Sequence, residues 1–332
     1  MNNTDSHKEI YVILGTPRGG TSAIARGLIA LGVDLGNILT HASQRVNPKG
    51  FWEDKEIVRI NRDIFKKLDC SSGGIAWIDK QQLTGKVVQP IKIAAVELLK
   101  QRFELTQSWG FKDPQTARLI PFWQSVFASL NLNENYIIAL RNPLSSAQSH
   151  RNLSGANIET GLLLWLMHLI PAIEGTQGGK RAIINYELIM ENPRKQLERI
   201  QKLLDIPSNQ QTADIDQYVN EFLDDNLDHH KYSYEDLKSN PAIQVAPLCL
   251  RTYDLLLKVA KDELKFEDSE FVTAWQEILS QLHDDYPVYC YIDSLLNENH
   301  RLKKTLKSIH QSNLWKIIYP LRLINGRRIF FR

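Results

Sequence analysis

At 332 residues, with 43% apolar and 23% charged residues, the chain reads as globular and can bury one large core. Its three cysteines, Cys70, Cys249 and Cys290, are odd in number and lack metal-ligand spacing, which argues against a disulfide framework or a zinc site and fits a reducing compartment. Net charge is only +2, yet Ser294 to Arg332 carries nine Lys/Arg against Glu298 alone, a net +8 that leaves −6 on the rest and marks the C-terminus as a separate module.

In chain order, strands alternate with helices. Ile10 to Leu14 is β-branched and too short for a helix, so it predicts a strand. Gly15-Thr16-Pro17-Arg18-Gly19-Gly20-Thr21-Ser22 is a glycine-rich turn, and Ala23 to Leu31 has Ile24, Leu28 and Leu31 at helical spacing. Gly32 to Lys49 lacks periodicity and reads as a long loop over the strand ends. An amphipathic helix opens at Gly50-Phe51-Trp52-Glu53-Asp54, with Ile57, Ile60, Ile64 and Leu68 on one face. Cys70 to Gly85 is a second loop, with Gly73-Gly74 at its middle. A helix from about Pro90 to Leu105 precedes the short strand Trp109 to Lys112, and Asp113-Pro114 breaks that strand and starts a helix through Leu130.

Tyr136 to Leu140 is a buried type of strand that runs directly into Arg141-Asn142-Pro143 and a further helix. Ile158 to Glu174 is an apolar helix, Arg181 to Asn185 a strand, and Tyr186 to Leu204 a helical segment interrupted at Asn192-Pro193. From Asp214 to Leu282 helices and turns are expected and no strand. This alternation implies a parallel sheet covered on both faces, with ligands gathered at the strands' carboxyl ends. Four junctions would meet there: Arg18 to Ser22, Lys112-Asp113, Arg141 to Ser149, and Tyr186. Three of them carry a basic residue just past a strand.

A strand, a glycine-rich turn and a helix N-terminus bring free N–H groups and the positive end of a helix dipole to one point, which suits a phosphate. The spacing is the Gly-x-x-x-x-Gly of a Walker A loop, but Thr21 stands where an NTPase has lysine and the cation is Arg18. ATP or GTP hydrolysis is therefore disfavoured. The expected fold class is α/β, a P-loop NTPase-like three-layer fold with a central parallel sheet in residues 1–285, plus a C-terminal helical, basic amphipathic extension in 286–332.

Together these motifs resemble the sulfotransferase family, whose members move a sulfuryl group from 3′-phosphoadenosine 5′-phosphosulfate (PAPS), in particular its bacterial and carbohydrate-directed branch. Pro17 to Ser22 is similar to the family's 5′-phosphosulfate loop, and Arg141-Asn142-Pro143 with Ser149 resembles its 3′-phosphate motif. Tyr186-Glu187-Leu188 followed by Asn192-Pro193 resembles its Tyr-Glu-x-Leu region, whose tyrosine lies near the nucleotide. Lys112-Asp113-Pro114 resembles the Lys-Asp-Pro of many bacterial members. The resemblance covers roughly residues 10 to 205.

The resemblance implies roles for these positions. Arg18, the N–H groups of Gly19, Gly20, Thr21 and Ser22, and the hydroxyls of Thr21 and Ser22 would hold the 5′-phosphate. Arg141 would grip the 3′-phosphate, with Ser149 adding a hydrogen bond, and Lys112 would stabilise charge on the bridging oxygen. Sulfuryl transfer shares a loose, in-line transition state with phosphoryl transfer but involves less charge, so no metal is expected. Glu53 is the first choice of general base, because Asn47 to Asp54 resembles an Asn-Pro-x-Gly-Phe-x-Glu stretch of bacterial relatives; His41, Asp113 and His150 are the alternatives. The rival readings make Glu53 a helix-dipole carboxylate, Lys112-Asp113 an internal ion pair and Tyr186 a core aromatic. The family's late Gly-x-x-Gly-x-x-Lys loop has no match between residues 205 and 290, where the nearest basic run is His229-His230-Lys231. The acceptor implied is a hydroxyl of a saccharide or glycolipid. A nucleotide kinase or NTPase, and a membrane-surface binding module with a vestigial loop, are the competing functions.

At the C-terminus a heptad runs through Ile292, Asn299, Leu306 and Asn313 at one position and Leu295, Leu302 and Ile309 at the other. It predicts a short parallel two-stranded coiled coil, hence a homodimer, with packing back onto the domain as the rival. Beyond it, Leu314 to Arg322 and Arg327 to Arg332 interleave aromatics with cations, the pattern of an interfacial membrane anchor; nucleic acid is the weaker alternative, since no binding motif accompanies it. Met1 to Glu9 is polar, and the longest apolar stretch, Leu162 to Ile173, holds His168 and falls short of the ~20 residues of a span. The expected location is cytoplasmic, at the inner face of the membrane.

Overall fold

The computed structural model describes residues 8–40, 49–207, 212–223, 230–312 and 315. His41, Asn47, His229 and the run from Lys316 to Arg332 lie outside the described residues. The chain divides into two compact units, Met1–Gly73 with Trp77–Asp284, and Gly74–Ala76 with Asp285–Arg332.

The first unit is built on a four-stranded sheet of β1 (Glu9–Gly15), β2 (Ser108–Lys112), β3 (Asn133–Leu140) and β4 (Lys180–Asn185), all parallel, in the order β2-β1-β3-β4. Successive side chains of a strand point to opposite faces, so a sheet covered on both faces needs apolar residues at every position. Tyr11, Ile13, Ile137, Ala139, Ala182 and Ile184 share one core with Ile24 and Leu28 of α1 (Thr21–Ala30) and Leu197 and Ile200 of α9 (Pro193–Leu203). The alternate residues Ile10, Val12, Leu14, Tyr136, Ile138, Leu140 and Ile183 are equally buried, on the side of α7 (Ile158–Gly175) and α12 (Pro247–Ala260). Three layers result, as expected for this α/β class. By length and composition α7 is apolar enough to cross a membrane, but Leu162 to Ile170 are all buried within the protein, which marks it as the core helix of this layer.

Because the strands are parallel, Gly15, Lys112, Leu140 and Asn185 all end on one edge of the sheet. From β1 the chain crosses to β2 on one side, and from β3 to β4 on the other. The order therefore reverses between β1 and β3, where an open α/β sheet has its ligand crevice.

The sequence reading differs from the structure at four places, each for a local reason. The stretch from Cys70 to Gly85 is not all loop: Lys80–Thr84 forms a short helix, α3, closed by a capping box of Asp79 and Gln82. At five residues it shows no periodicity, and only Leu83 of it is buried. The helix expected from Gly50 is α2, Lys55–Lys67, because Gly50 and Trp52 are left-handed (φ 94 and 58) and Leu39 bridges Asp54 antiparallel. Its apolar face ends on Phe65 rather than Leu68, which is the C-cap. Between Asp113 and Leu130 a 3-10 turn, Pro114–Arg118, precedes α5 (Ile120–Ser129), since Pro121 has no N–H to continue a single ladder. The remaining helices of this unit follow the reading, including the break at Asn192-Pro193 between α8 (Tyr186–Glu191) and α9. Among the described residues no strand follows β4.

A long helix, α13 (Ser269–Gln311), continues through Pro287. Its first part belongs to the first unit, where Phe271, Trp275, Ile278 and Leu282 are buried and the Trp275 indole donates to Glu174 (2.6 Å). In the second unit Asp293 Oδ1 accepts the amides of Ile75 and Ala76 (2.6 and 3.3 Å).

Candidate functional site

The turn after β1 is shaped by three positive φ values: Gly15 (147), Arg18 (66) and Gly20 (84). For an arginine this backbone costs ~1–2 kcal/mol, so other contacts must hold it. The Arg141 guanidinium donates to the Arg18 carbonyl (3.0 Å), and Arg18 Nε donates to Ser149 Oγ (2.9 Å). Gly20 has a second reason to be glycine, since a Cβ there would lie 2.4 Å from Cδ2 of Tyr186. Helix α1 then starts at Thr21 with no side-chain cap among the described residues and no acid in its first turn. Its N-terminal dipole end thus faces the same crevice.

Two arginines from neighbouring strand ends meet here. Burial, and secondarily the charge of Arg141, lower the pKa of the Arg18 guanidinium, the sign of two like charges held together in a partly desolvated place. Arg141 is 8% exposed, its guanidinium lies 4.6 Å from the centre of the Tyr186 ring, and its carbonyl accepts the indole N–H of Trp165 (3.0 Å). Tyr186 is thus wedged between the loop and Arg141, half-buried and not a core aromatic. Asn142 caps α6 (Pro143–Ser154) through Oδ1, which accepts the amides of Leu144 and Ser145 (2.9 and 3.4 Å). Its Nδ2 donates to the carbonyls of Tyr232 and Ser233 (2.9 and 3.1 Å), and Tyr232 N donates to Ser145 Oγ (3.3 Å). Glu187 accepts from Asn142 N and Asn185 Nδ2 (3.1 and 2.6 Å). Burial raises its pKa, while these hydrogen bonds and Arg141 work against that rise.

At the end of β2 the Lys112 ammonium contacts Glu53 Oε1 at 2.6 Å, with the lysine side chain 3% exposed and the glutamate 17%. The internal ion pair is therefore Lys112 with Glu53, not with Asp113. Asp113 is turned into the protein: it accepts Asn61 Nδ2 (2.9 Å) and the Gln115 amide (3.0 Å), and Asn61 is fixed by the Trp123 indole (2.8 Å). Burial first, and the charge of Glu53 second, raise Asp113 from 3.8 to about 6. Nor is Glu53 the carboxylate at the start of α2; Asp54 takes that role, accepting the amides of Glu56 and Ile57 and pairing with Arg102 (2.8 Å). This segment reaches the glycine-rich turn as well, through Ser22 Oγ donating to the Phe51 carbonyl (3.3 Å).

Of the residues singled out in the sequence, Arg18, Gly19, Gly20, Thr21, Ser22, Arg141, Ser149 and Tyr186 form one connected constellation, with Ser149 serving Arg18 directly. Lys112 and Glu53 form a pair at the neighbouring strand end. His150, in α6, has its pKa lowered by burial and by Arg18. His41 lies outside the described residues. The sequence reading noted the basic run at His230 but missed Asn61, Trp165 and the contacts of Tyr232 and Ser233; His230, Tyr232 and Ser233 lie against Arg141 and Asn142 from about 90 residues downstream. No sequence signal marks those contacts, since the groups that accept from Arg141 and Asn142 there are the backbone carbonyls of His230, Tyr232 and Ser233.

The fold and site define an α/β protein in which two arginines, a glycine-rich turn and a helix N-terminus meet at the carboxyl edge of a parallel sheet. No family model and no curated protein matches the chain. Among solved structures it is similar to the sulfotransferase domain of the Synechococcus PCC 7002 olefin synthase (18% identity, TM-score 0.42), with 73% of this chain and 95% of that one covered. It is also similar to a sulfotransferase domain from the curacin biosynthetic pathway (15% identity, TM-score 0.39), with 83% of this chain and 98% of that one covered.

Proposed function

We propose that the chain is a sulfotransferase that moves a sulfuryl group from PAPS to an acceptor hydroxyl of a saccharide or glycolipid. One observation carries this reading: Arg18 and Arg141, from adjacent strand ends at the reversal point of the sheet, are hydrogen-bonded to each other beside the N-terminus of α1. A nucleotide with phosphates at both its 5′ and 3′ positions matches two guanidinium groups supplied by two different strand-to-helix junctions. The order of the four sequence motifs supports the same donor.

In this mechanism the loop amides of Gly19 to Ser22 and Arg18 hold the 5′ end, and Arg141 holds the 3′-phosphate with Tyr186 beside it. The acceptor oxygen attacks sulfur as the bond from sulfur to the bridging oxygen breaks, and the electron pair leaves with the phosphate. Lys112 stabilises that departing charge, and Glu53, 2.6 Å from the lysine, takes the acceptor's proton. A cytoplasmic position at the inner face of the membrane is part of the proposal and rests on the composition of Lys316 to Arg332.

Calorimetric titration with 3′-phosphoadenosine 5′-phosphate tests the reading. The protein should bind it, and Arg141→Ala should weaken that binding by roughly 10- to 100-fold, the value of a charge-assisted phosphate contact, while adenosine 5′-phosphate binding changes little. Equal losses for both ligands would remove the 3′-phosphate role, and no binding to the native chain would remove the donor assignment altogether.

A further inference from the structure

We propose that the chain pairs with a second copy of itself through a parallel, in-register, two-stranded coiled coil formed by the C-terminal part of α13. Val288, Ile292, Leu295, Asn299, Leu302, Leu306 and Ile309 are separated by alternating steps of four and three residues, a 3.5-residue repeat that favours left-handed supercoiling of one helix on another. This seam is exposed: Val288 is 58% exposed, Leu295 45%, Leu302 59% and Leu306 54%, and every side chain from Asn297 to Gln311 is exposed. A helical stretch of this length with no packed face is marginal in water, so a partner along the seam supplies what it lacks.

Two features select a second copy in parallel orientation as the occupant. Asn299 sits in the middle of the seam at an a position, and its side-chain amide both donates and accepts. Two copies of Asn299 facing each other satisfy both groups, whereas an apolar partner would leave them unpaired. In the same register Glu298 occupies a g position and Lys303 the following e position. A parallel pair sets Glu298 of each copy against Lys303 of the other, twice by symmetry; an antiparallel pair sets g against g and loses both contacts. The flanking face that carries Asp293 is already used inside the second unit, where it holds the amides of Ile75 and Ala76. The basic residues Arg301, Lys304 and Lys307 fall outside the a, d, e and g positions and do not oppose closure.

Sedimentation equilibrium of the full chain without lipid tests this, independently of any activity. A dimer that dissociates on dilution is expected. Leu302→Glu combined with Leu306→Glu should be monomeric at every concentration with unchanged nucleotide binding, because both side chains are exposed and remote in sequence from the site. Glu298→Lys should weaken the dimer by roughly 5- to 10-fold, and adding Lys303→Glu should restore it, since the ion pairs are exchanged rather than lost. Under oxidation Leu302→Cys should cross-link to itself between copies while Asn297→Cys, on the outer face, should not. A monomer at the highest soluble concentration, a trimer or larger species, a dimer that survives the double glutamate variant, or association only on anionic vesicles would each overturn the proposal.

Discussion

Replacing Glu53 by glutamine removes one charge from a pair that the protein holds almost out of water. The Lys112 side chain is 3% exposed and sits 2.6 Å from Glu53, itself 17% exposed. Breaking a fully buried pair costs about 3–5 kcal/mol, and the partial exposure of Glu53 brings this to about 2–3 kcal/mol. Asp113 offsets part of the loss. Glu53 is the second cause, after burial, of the rise of Asp113 from 3.8 to about 6. With that charge gone, Asp113 ionises more readily beside Lys112, which returns about 1 kcal/mol. The net loss should be about 1–2 kcal/mol, or a fall in Tm of about 1.5–3 °C.

The pH dependence gives a separate signature. A carboxyl whose pKa is raised on folding binds its proton more tightly in the folded state, so its contribution to stability is fully present below pH 3.8 and is lost as pH rises through about 6. For Asp113 that loss is about 3 kcal/mol in the native chain, and it should shrink in Glu53→Gln because the repelling neighbour is gone. Thermal melts from pH 4 to 7 would show a flatter curve for the variant. Turnover should drop by ~100-fold or more if the same carboxylate takes the acceptor's proton. Native-like turnover would remove Glu53 as the base, and an unchanged pH–stability curve would refute the coupling to Asp113.

Two further substitutions test how the site is held. Gly20→Ala forces a side chain onto a φ of 84 and to within 2.4 Å of the Tyr186 ring, which supports Arg141; nucleotide affinity should fall by ~10-fold or more with the fold retained by circular dichroism, and unaltered affinity would refute the wedge. Asn142→Ala removes the α6 cap and the donor to the carbonyls of Tyr232 and Ser233, so stability should fall by about 1–2 kcal/mol and amide exchange around residues 230–240 should accelerate; unchanged exchange there would show that Asn142 does not hold that stretch.

How far the sequence carried each element depended on how local its cause was. The strands β1, β3 and β4 were legible because both-face burial writes an unbroken apolar run, and α7 because a core helix does the same over a longer stretch. Helix boundaries were legible where Asn or Asp precedes Pro, as at Asn142 and Asn192. Helix α3 was not, because five residues with one buried leucine carry no period. Nor was the start of α2, which is set by left-handed Gly50 and Trp52 and by a bridge to Leu39 across the chain.

By itself the sequence determined the glycine-rich loop after β1, the second arginine junction and the 3.5-residue repeat of the C-terminal helix, since each is a pattern of neighbours along the chain. Only the tertiary structure decided which carboxylate meets Lys112, because Glu53 arrives there from 59 residues away while adjacent Asp113 turns inward to Asn61. It likewise decided that Tyr186 separates Gly20 from Arg141 and that His230 to Ser233 lie against the second junction. These contacts arise where a parallel sheet brings distant strand ends to one edge, and distance in space there bears no relation to distance along the chain.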